Sequence, residues 1–94
     1  MDKQKLYSEI VDFLKSKGAT KVAVFGSYVR DEETPESDID VLMDFDRRIG
    51  LMEFVGIEQE LSEKIGIKVD LLTEGSISPY IIDYVKKDMK VLFH

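Results

Sequence analysis

The feature that most limits this chain is Asp38-Ile39-Asp40, at the head of the apolar run IDVLMDF over residues 39–45. Side chains alternate across a strand, so residues two apart point the same way. A strand beginning at about Asp38 puts Asp38 and Asp40 on one face, with Leu42 and Asp44 further along. Ile39, Val41, Met43 and Phe45 share the other, which reads as the core face. Two neighbouring carboxylates repel, and each raises the other's pKa unless something positive lies between them. A hard divalent cation with oxygen ligands does this well, and Mg²⁺ is the usual choice where phosphates supply further ligands.

The surrounding sequence frames that strand. Leu6, Tyr7, Ile10, Val11, Phe13 and Leu14 have helical spacing over residues 3–17, and Lys15, Lys17 and Gly18 suit a helix end. KVAVF (21–25) reads as a short buried strand and IKVDLL (67–72) as a third strand. Between them, Leu51, Phe54, Val55, Leu61 and Ile65 suggest a helix after Gly50 that Gly66 ends. Ser78-Pro79 has the form of an N-cap followed by Pro at the first helical position. Tyr80, Ile81, Tyr84 and Val85 are the expected apolar face of that helix, and KVLF (90–93) an edge strand. The alternation predicts an α/β (α+β) fold, a small mixed sheet flanked by helices, in one domain over residues 1–94.

A third acid interrupts IKVDLL. There Ile67, Val69 and Leu71 share one face, and Lys68, Asp70 and Leu72 the other. If the second and third strands are neighbours, Asp70 stands beside the aspartate pair. Three carboxylates can hold two metal ions, or hold one while Asp70 accepts a proton from an attacking hydroxyl.

Gly26 ends the strand KVAVF, and Ser27 would open a short helical turn, YVR. Backbone N–H groups of a short turn YVR, with the serine hydroxyl, make a small anion site that glycine lets a ligand approach closely. Arg30 can return to the same phosphate. For the Gly-Ser pair and the aspartates to meet one nucleotide triphosphate, strands one and two must run antiparallel. Each feature alone has a bland reading: a common turn, a solvated strand start, a surface cation, an acid facing water. Their combination at strand ends is what favours a site. Gly75-Ser76, which no spaced aspartate pair follows, reads as a plain turn.

Gly26-Ser27, ten residues, then Asp38-Ile39-Asp40 resembles the signature of the DNA polymerase β-like nucleotidyltransferase superfamily. The fuller phrases FGSYVR…SDIDVLMDF and GIKVDLLTEGSI look most like the minimal nucleotidyltransferase (MNT) domains. The resemblance implies that Asp38 and Asp40 bind metal, that Asp70 is the third acidic residue, and that Gly26, Ser27 and Arg30 hold the triphosphate. It implies Mg²⁺-dependent transfer of a nucleoside monophosphate from ATP or another NTP. Many such proteins are paired with a HEPN-domain toxin, and some neutralise it by adenylylating a tyrosine. One departure stands out: such proteins usually carry Gly after the arginine, and here Asp31 adds a negative charge beside the phosphate site.

Composition sets further limits. A net charge of −6 disfavours direct nucleic-acid binding, which needs clustered Lys and Arg, and fits a basic protein partner better. Without cysteine there is no thiol nucleophile or zinc–thiolate site, and the one histidine, His94, is the last residue. No apolar stretch reaches membrane-spanning length, and a cytoplasmic protein is expected. With 94 residues there is little surface for choosing an acceptor, so the acceptor is expected to be a docking protein. Two alternatives follow: a non-catalytic antitoxin that masks its partner, and transfer to a small molecule, for which the chain is short.

Overall fold

The structure, a computed structural model, describes every residue except Met1, Glu74, Ser76, Ile77 and Ile81. Helix α1 (Lys3–Ser16) leads into strand β1 (Ala19–Phe25), and a 3₁₀ turn (Gly26–Tyr28) follows. Strand β2 (Ile39–Phe45), helix α2 (Leu51–Ile65), strand β3 (Val69–Leu72), helix α3 (Ile82–Asp88) and strand β4 (Lys90–Phe93) complete the order. The four strands form one mixed sheet in the order β3-β2-β1-β4. β1 runs antiparallel to β2 and to β4, and β2 runs parallel to β3. The expected α/β class, the antiparallel β1–β2 pair and the neighbouring β2 and β3 are all present.

Helices α1 and α2 cover one face of the sheet. Ile10 and Leu14 of α1 and Ile57 and Leu61 of α2 pack with Val22, Val24, Ile39, Val41 and Met43, all of them buried. Asp2 caps α1, its carboxylate accepting the Gln4 N–H at 3.0 Å, and Gly66 in the left-handed region closes α2.

Two expected helix faces need correction. On α2, Leu51 is 77 % exposed and Val55 is also exposed. The inward face is instead Phe54, Ile57, Leu61 and Ile65, at i, i+3, i+7 and i+11. Val55 lies about 100° round the helix from Phe54, and Leu51 is its first residue.

On α3, Tyr80 and Tyr84 are exposed, and Ile81 lies outside the described residues. Val85 is buried there, with Ile82 and Met89 packed around it. Ser78 does act as a cap: its hydroxyl accepts the Tyr80 N–H at 3.3 Å and its carbonyl the Ile82 N–H at 3.1 Å. Half of the expected Gly75-Ser76 turn, Ser76, lies outside the described residues.

The second face of the sheet is not wholly polar, since the alternation in β2 puts Leu42 on it with the aspartates. Leu42 is fully buried, packed with Ala23 and Val85 under α3. Helix α3 therefore covers part of the face that also carries Asp40 and Asp70. The uncovered part, at the end of β1 and the start of β2, is where the candidate site lies.

At the sheet edge, β3 is closed by α2 rather than left open. The Val69 N–H donates to the Ser62 hydroxyl at 2.9 Å, and the Leu71 N–H to the Glu58 carboxylate at 2.8 Å. These bonds blunt an edge that would otherwise offer free backbone groups. They also anchor the residues on either side of Asp70.

Candidate active site

Phe25 and Asp40 are paired across the antiparallel β1–β2 ladder. The chain leaves β1 at Phe25, loops through residues 26–38 and returns to the same end of the sheet. Gly26 adopts φ +83°, a conformation that L side chains rarely take. A Cβ built there would stand 2.2 Å from Asp40 Oδ2. The two halves of the motif are thus in direct contact, and the glycine makes room for the carboxylate. The turn starts one residue earlier than expected, at Gly26, whose carbonyl accepts the Val29 and Arg30 N–H groups at 3.1 and 3.2 Å.

Asp40 and Asp70 are register partners on adjacent parallel strands. Asp38 sits just before β2, exposed, with Lys68 Nζ 3.8 Å from its carboxylate. Partial burial, and then the charges of Asp70 and Asp38, push the Asp40 carboxyl up to about 6, with Arg30 opposing them. That unrelieved repulsion is what a cation would remove. The donors are all carboxylate oxygens, which suits Mg²⁺. Among the described residues, however, no three acids converge closely enough to form a ready-made metal cluster.

An open cleft of about 430 Å³ lies over this end of the sheet. Gly26, Ser27, Arg30, Asp38 and Asp40 all line it, which brings five of the six expected residues together. Asp70, the sixth, reaches the group through its pairing with Asp40 rather than as part of the cleft lining. The cleft also takes in Tyr84, which helical spacing had assigned to an apolar face, and Asp88 of α3, which the sequence did not single out. Arg30 does not point freely into it: one guanidinium nitrogen donates to Asp88 at 2.9 Å, and Nε donates to Glu32 at 3.3 Å.

Lys3 is a further residue without a sequence signal. Its Nζ donates to the Tyr28 carbonyl at 2.8 Å and pairs with Asp31 and Glu33, tying the start of α1 to the loop after the Gly-Ser turn. Asp31 has φ +57°. The left-handed region penalises a Cβ and so suits the glycine that the resemblance leads one to expect here, and aspartate is among the better-tolerated substitutes. Its carboxylate is 83 % exposed and held by Lys3, so the extra charge faces outward rather than into the cleft. Asp31→Gly is therefore expected to leave stability to urea within about 0.5 kcal/mol, because it relieves the backbone as it loses a surface pair. Asp31→Val is expected to lose about 1–2 kcal/mol, because a β-branched residue is poorly suited to the left-handed region.

Residues 7–92 match the family described as nucleotidyltransferase domain. The chain belongs to that family. The nucleotidyltransferase is 44 % identical over 78 residues to a Methanocaldococcus jannaschii protein named as a protein adenylyltransferase, covering 81 % of this chain and 80 % of the relative. It is 36 % identical over 72 residues to protein adenylyltransferase MntA of Thermococcus cleftensis, covering 77 % and 73 %. Its fold matches a chain in the structure of a tri-AMPylated Shewanella oneidensis HEPN toxin in complex with MNT antitoxin. That match has a TM-score of 0.80 at 21 % identity, covering 98 % of this chain and 72 % of the other. At that identity the likeness speaks for the fold alone.

The repulsion at Asp40 has a measurable consequence. Its folded pKa of about 6 lies above the ordinary 3.8, so the folded state takes up a proton first as pH falls. This group therefore costs stability above pH 6, and the cost is relieved as pH drops from 6 towards 4. Asp40→Asn is expected to stabilise the nucleotide-free protein by about 1 kcal/mol at pH 8, after allowance for solvent screening. The gain should vanish near pH 4. Urea denaturation at the two pH values checks this, and a gain that grows at low pH would contradict it.

Proposed function

We propose that this nucleotidyltransferase transfers AMP from ATP to a hydroxyl, that of a tyrosine, on a HEPN-type partner protein, and so acts as its antitoxin. The observation that carries the reading is the contact between Gly26 and Asp40 in one cleft with Asp38 and Arg30, with Asp70 paired to Asp40 on the next strand. The names of the M. jannaschii and T. cleftensis relatives support adenylyl transfer to protein. The S. oneidensis complex, in which the HEPN toxin is AMPylated, supports the choice of partner.

Asp38 and Asp40, with Asp70 beside them, would hold Mg²⁺, which supplies charge neutralisation for the triphosphate. Ser27 and the backbone of the Gly26 turn bind phosphate oxygens. Arg30 exchanges part of its pairing with Glu32 and Asp88 for the same group. The acceptor oxygen attacks the α-phosphorus and its proton passes to Asp70. The bond between the α-phosphorus and the bridging oxygen breaks, and pyrophosphate leaves. Exposed Leu51, Met52 and Val55 give the start of α2 an apolar surface suited to a docked protein.

The test is purified protein, Mg²⁺ and α-labelled ATP with a HEPN-type protein encoded in an adjacent reading frame. Label should move to that protein, and Asp38→Ala with Asp40→Ala should stop it. Undiminished transfer by the double variant would refute the reading.

A second reading has one observation in its favour. Arg30 is already neutralised by two carboxylates, as it would be in a site that no longer needs phosphate. The protein would then neutralise its partner by masking alone. On that reading the double variant binds its partner and protects cells as well as the wild type does.

A further inference from the structure

The cleft lining is mixed. The glycine turn, Arg30 and the acids share it with Phe25 of β1 and with Tyr84, Val85 and Asp88 of α3. Val85 is buried, and Phe25 is partly buried against the same small core under α3. Neither has much free surface to give. Tyr84 is different: it lines the cleft and is still 66 % exposed. Helical spacing marked it as core, yet the core position on that helix is taken by Val85. A large aromatic side chain is left uncovered in the same cleft as the acids and the glycine turn.

We propose that the Tyr84 ring is the platform on which the nucleotide base stacks, and that this contact favours purines over pyrimidines while scarcely separating adenine from guanine. The proposal rests on the nucleotidyltransferase reading of the cleft, since it needs the triphosphate to lie against the glycine turn. Stacking is tolerant of base identity because every base has a π face, and its strength grows with ring area. Discrimination between adenine and guanine normally comes from side chains that hydrogen-bond the base edges, with Asn and Gln prominent among them. The chain contains no Asn, its two Gln residues, Gln4 and Gln59, do not line the cleft, and on the α3 side Arg30 and Asp88 are paired with each other. The phosphate side binds any NTP, and the α3 side reads chiefly the size of the base.

The experiment is calorimetric titration of the full chain with Mg²⁺ and ATP, GTP, CTP or inorganic tripolyphosphate. The chain has no Trp and four Tyr, so tyrosine fluorescence gives a second readout of ring contact. Wild type should bind ATP and GTP within about 3-fold of each other, and CTP several-fold more weakly. Tyr84→Ala should weaken ATP and GTP by about 10-fold or more, the size expected for one lost stacking contact. It should leave tripolyphosphate unchanged. Tyr84→Phe should restore nucleotide binding to within about 3-fold, as a ring without the hydroxyl still stacks.

Unchanged ATP affinity in Tyr84→Ala would overturn the platform while leaving the phosphate site intact. Equal losses for ATP and tripolyphosphate would also overturn it, because Tyr84 would then be shaping the cleft rather than holding the base. A wild type that binds neither ATP nor tripolyphosphate would overturn the nucleotide site itself, and this inference with it.

Discussion

Gly26→Ala should cut AMP transfer by about 100-fold or more while costing only about 1–2 kcal/mol of stability. The stability cost comes from the backbone: φ at Gly26 is +83°, where an L side chain is strained. The larger effect comes from the methyl group itself, whose carbon would lie 2.2 Å from Asp40 Oδ2. The nearest clashing atom is the end of a side chain, so the carboxylate swings away rather than the sheet coming apart. A displacement on the order of 1 Å at a group that positions the reaction is enough for a 100-fold loss. The conflict disappears if Asp40 is shortened. In an Asp40→Ala background, Gly26→Ala should therefore cost less stability than it does alone, a non-additivity that a double-mutant cycle reads directly. Strict additivity of the two stability changes would mean that the glycine and the aspartate do not interact.

Asp38→Asn combined with Asp40→Asn should abolish transfer, with a loss of about 10³-fold or more, and leave the fold intact. Neither side chain belongs to the apolar core: Asp38 is exposed, and Asp40 is half-buried on the side facing the cleft. The charge on Asp40 is a burden to the folded protein, as its elevated pKa records. Removing both charges relieves that burden while eliminating the ligands of the Mg²⁺ that would neutralise the phosphates. The double variant should thus melt no lower than the wild type, bind its partner, and fail to modify it. Circular dichroism melts, together with transfer assays on the same preparations, separate loss of chemistry from loss of structure.

How much of this was legible in the sequence depends on the range of the interactions involved. Alternation along a strand is local, so the shared side of Asp38 and Asp40, and the placing of Asp70 opposite Val69 and Leu71, could be read directly. The antiparallel β1–β2 pair followed from requiring Gly26-Ser27 and the aspartates to meet, and the Phe25–Asp40 register agrees.

What could not be read depends on distant partners or on competition for cover. Lys3 and Asp31 are 28 positions apart, and Arg30 and Asp88 are 58 apart. Nothing local marks either pair. On α3, a short helix over the polar end of a small sheet has room to bury one side chain deeply, and Val85 takes it rather than Tyr84. The left-handed backbone at Asp31 was equally hidden.

The central claim, that protection of the cell comes from AMP transfer at the Gly26–Asp40 cleft, is tested most directly by intact mass. The HEPN-type partner is isolated from cells that co-express it with the wild-type protein or with the Asp38→Asn, Asp40→Asn variant. The expected result is a partner heavier by one or more AMP groups in the protected wild-type cells, and an unmodified partner in variant cells that stop growing. An unmodified partner in protected cells, or equal protection by the variant, would contradict it.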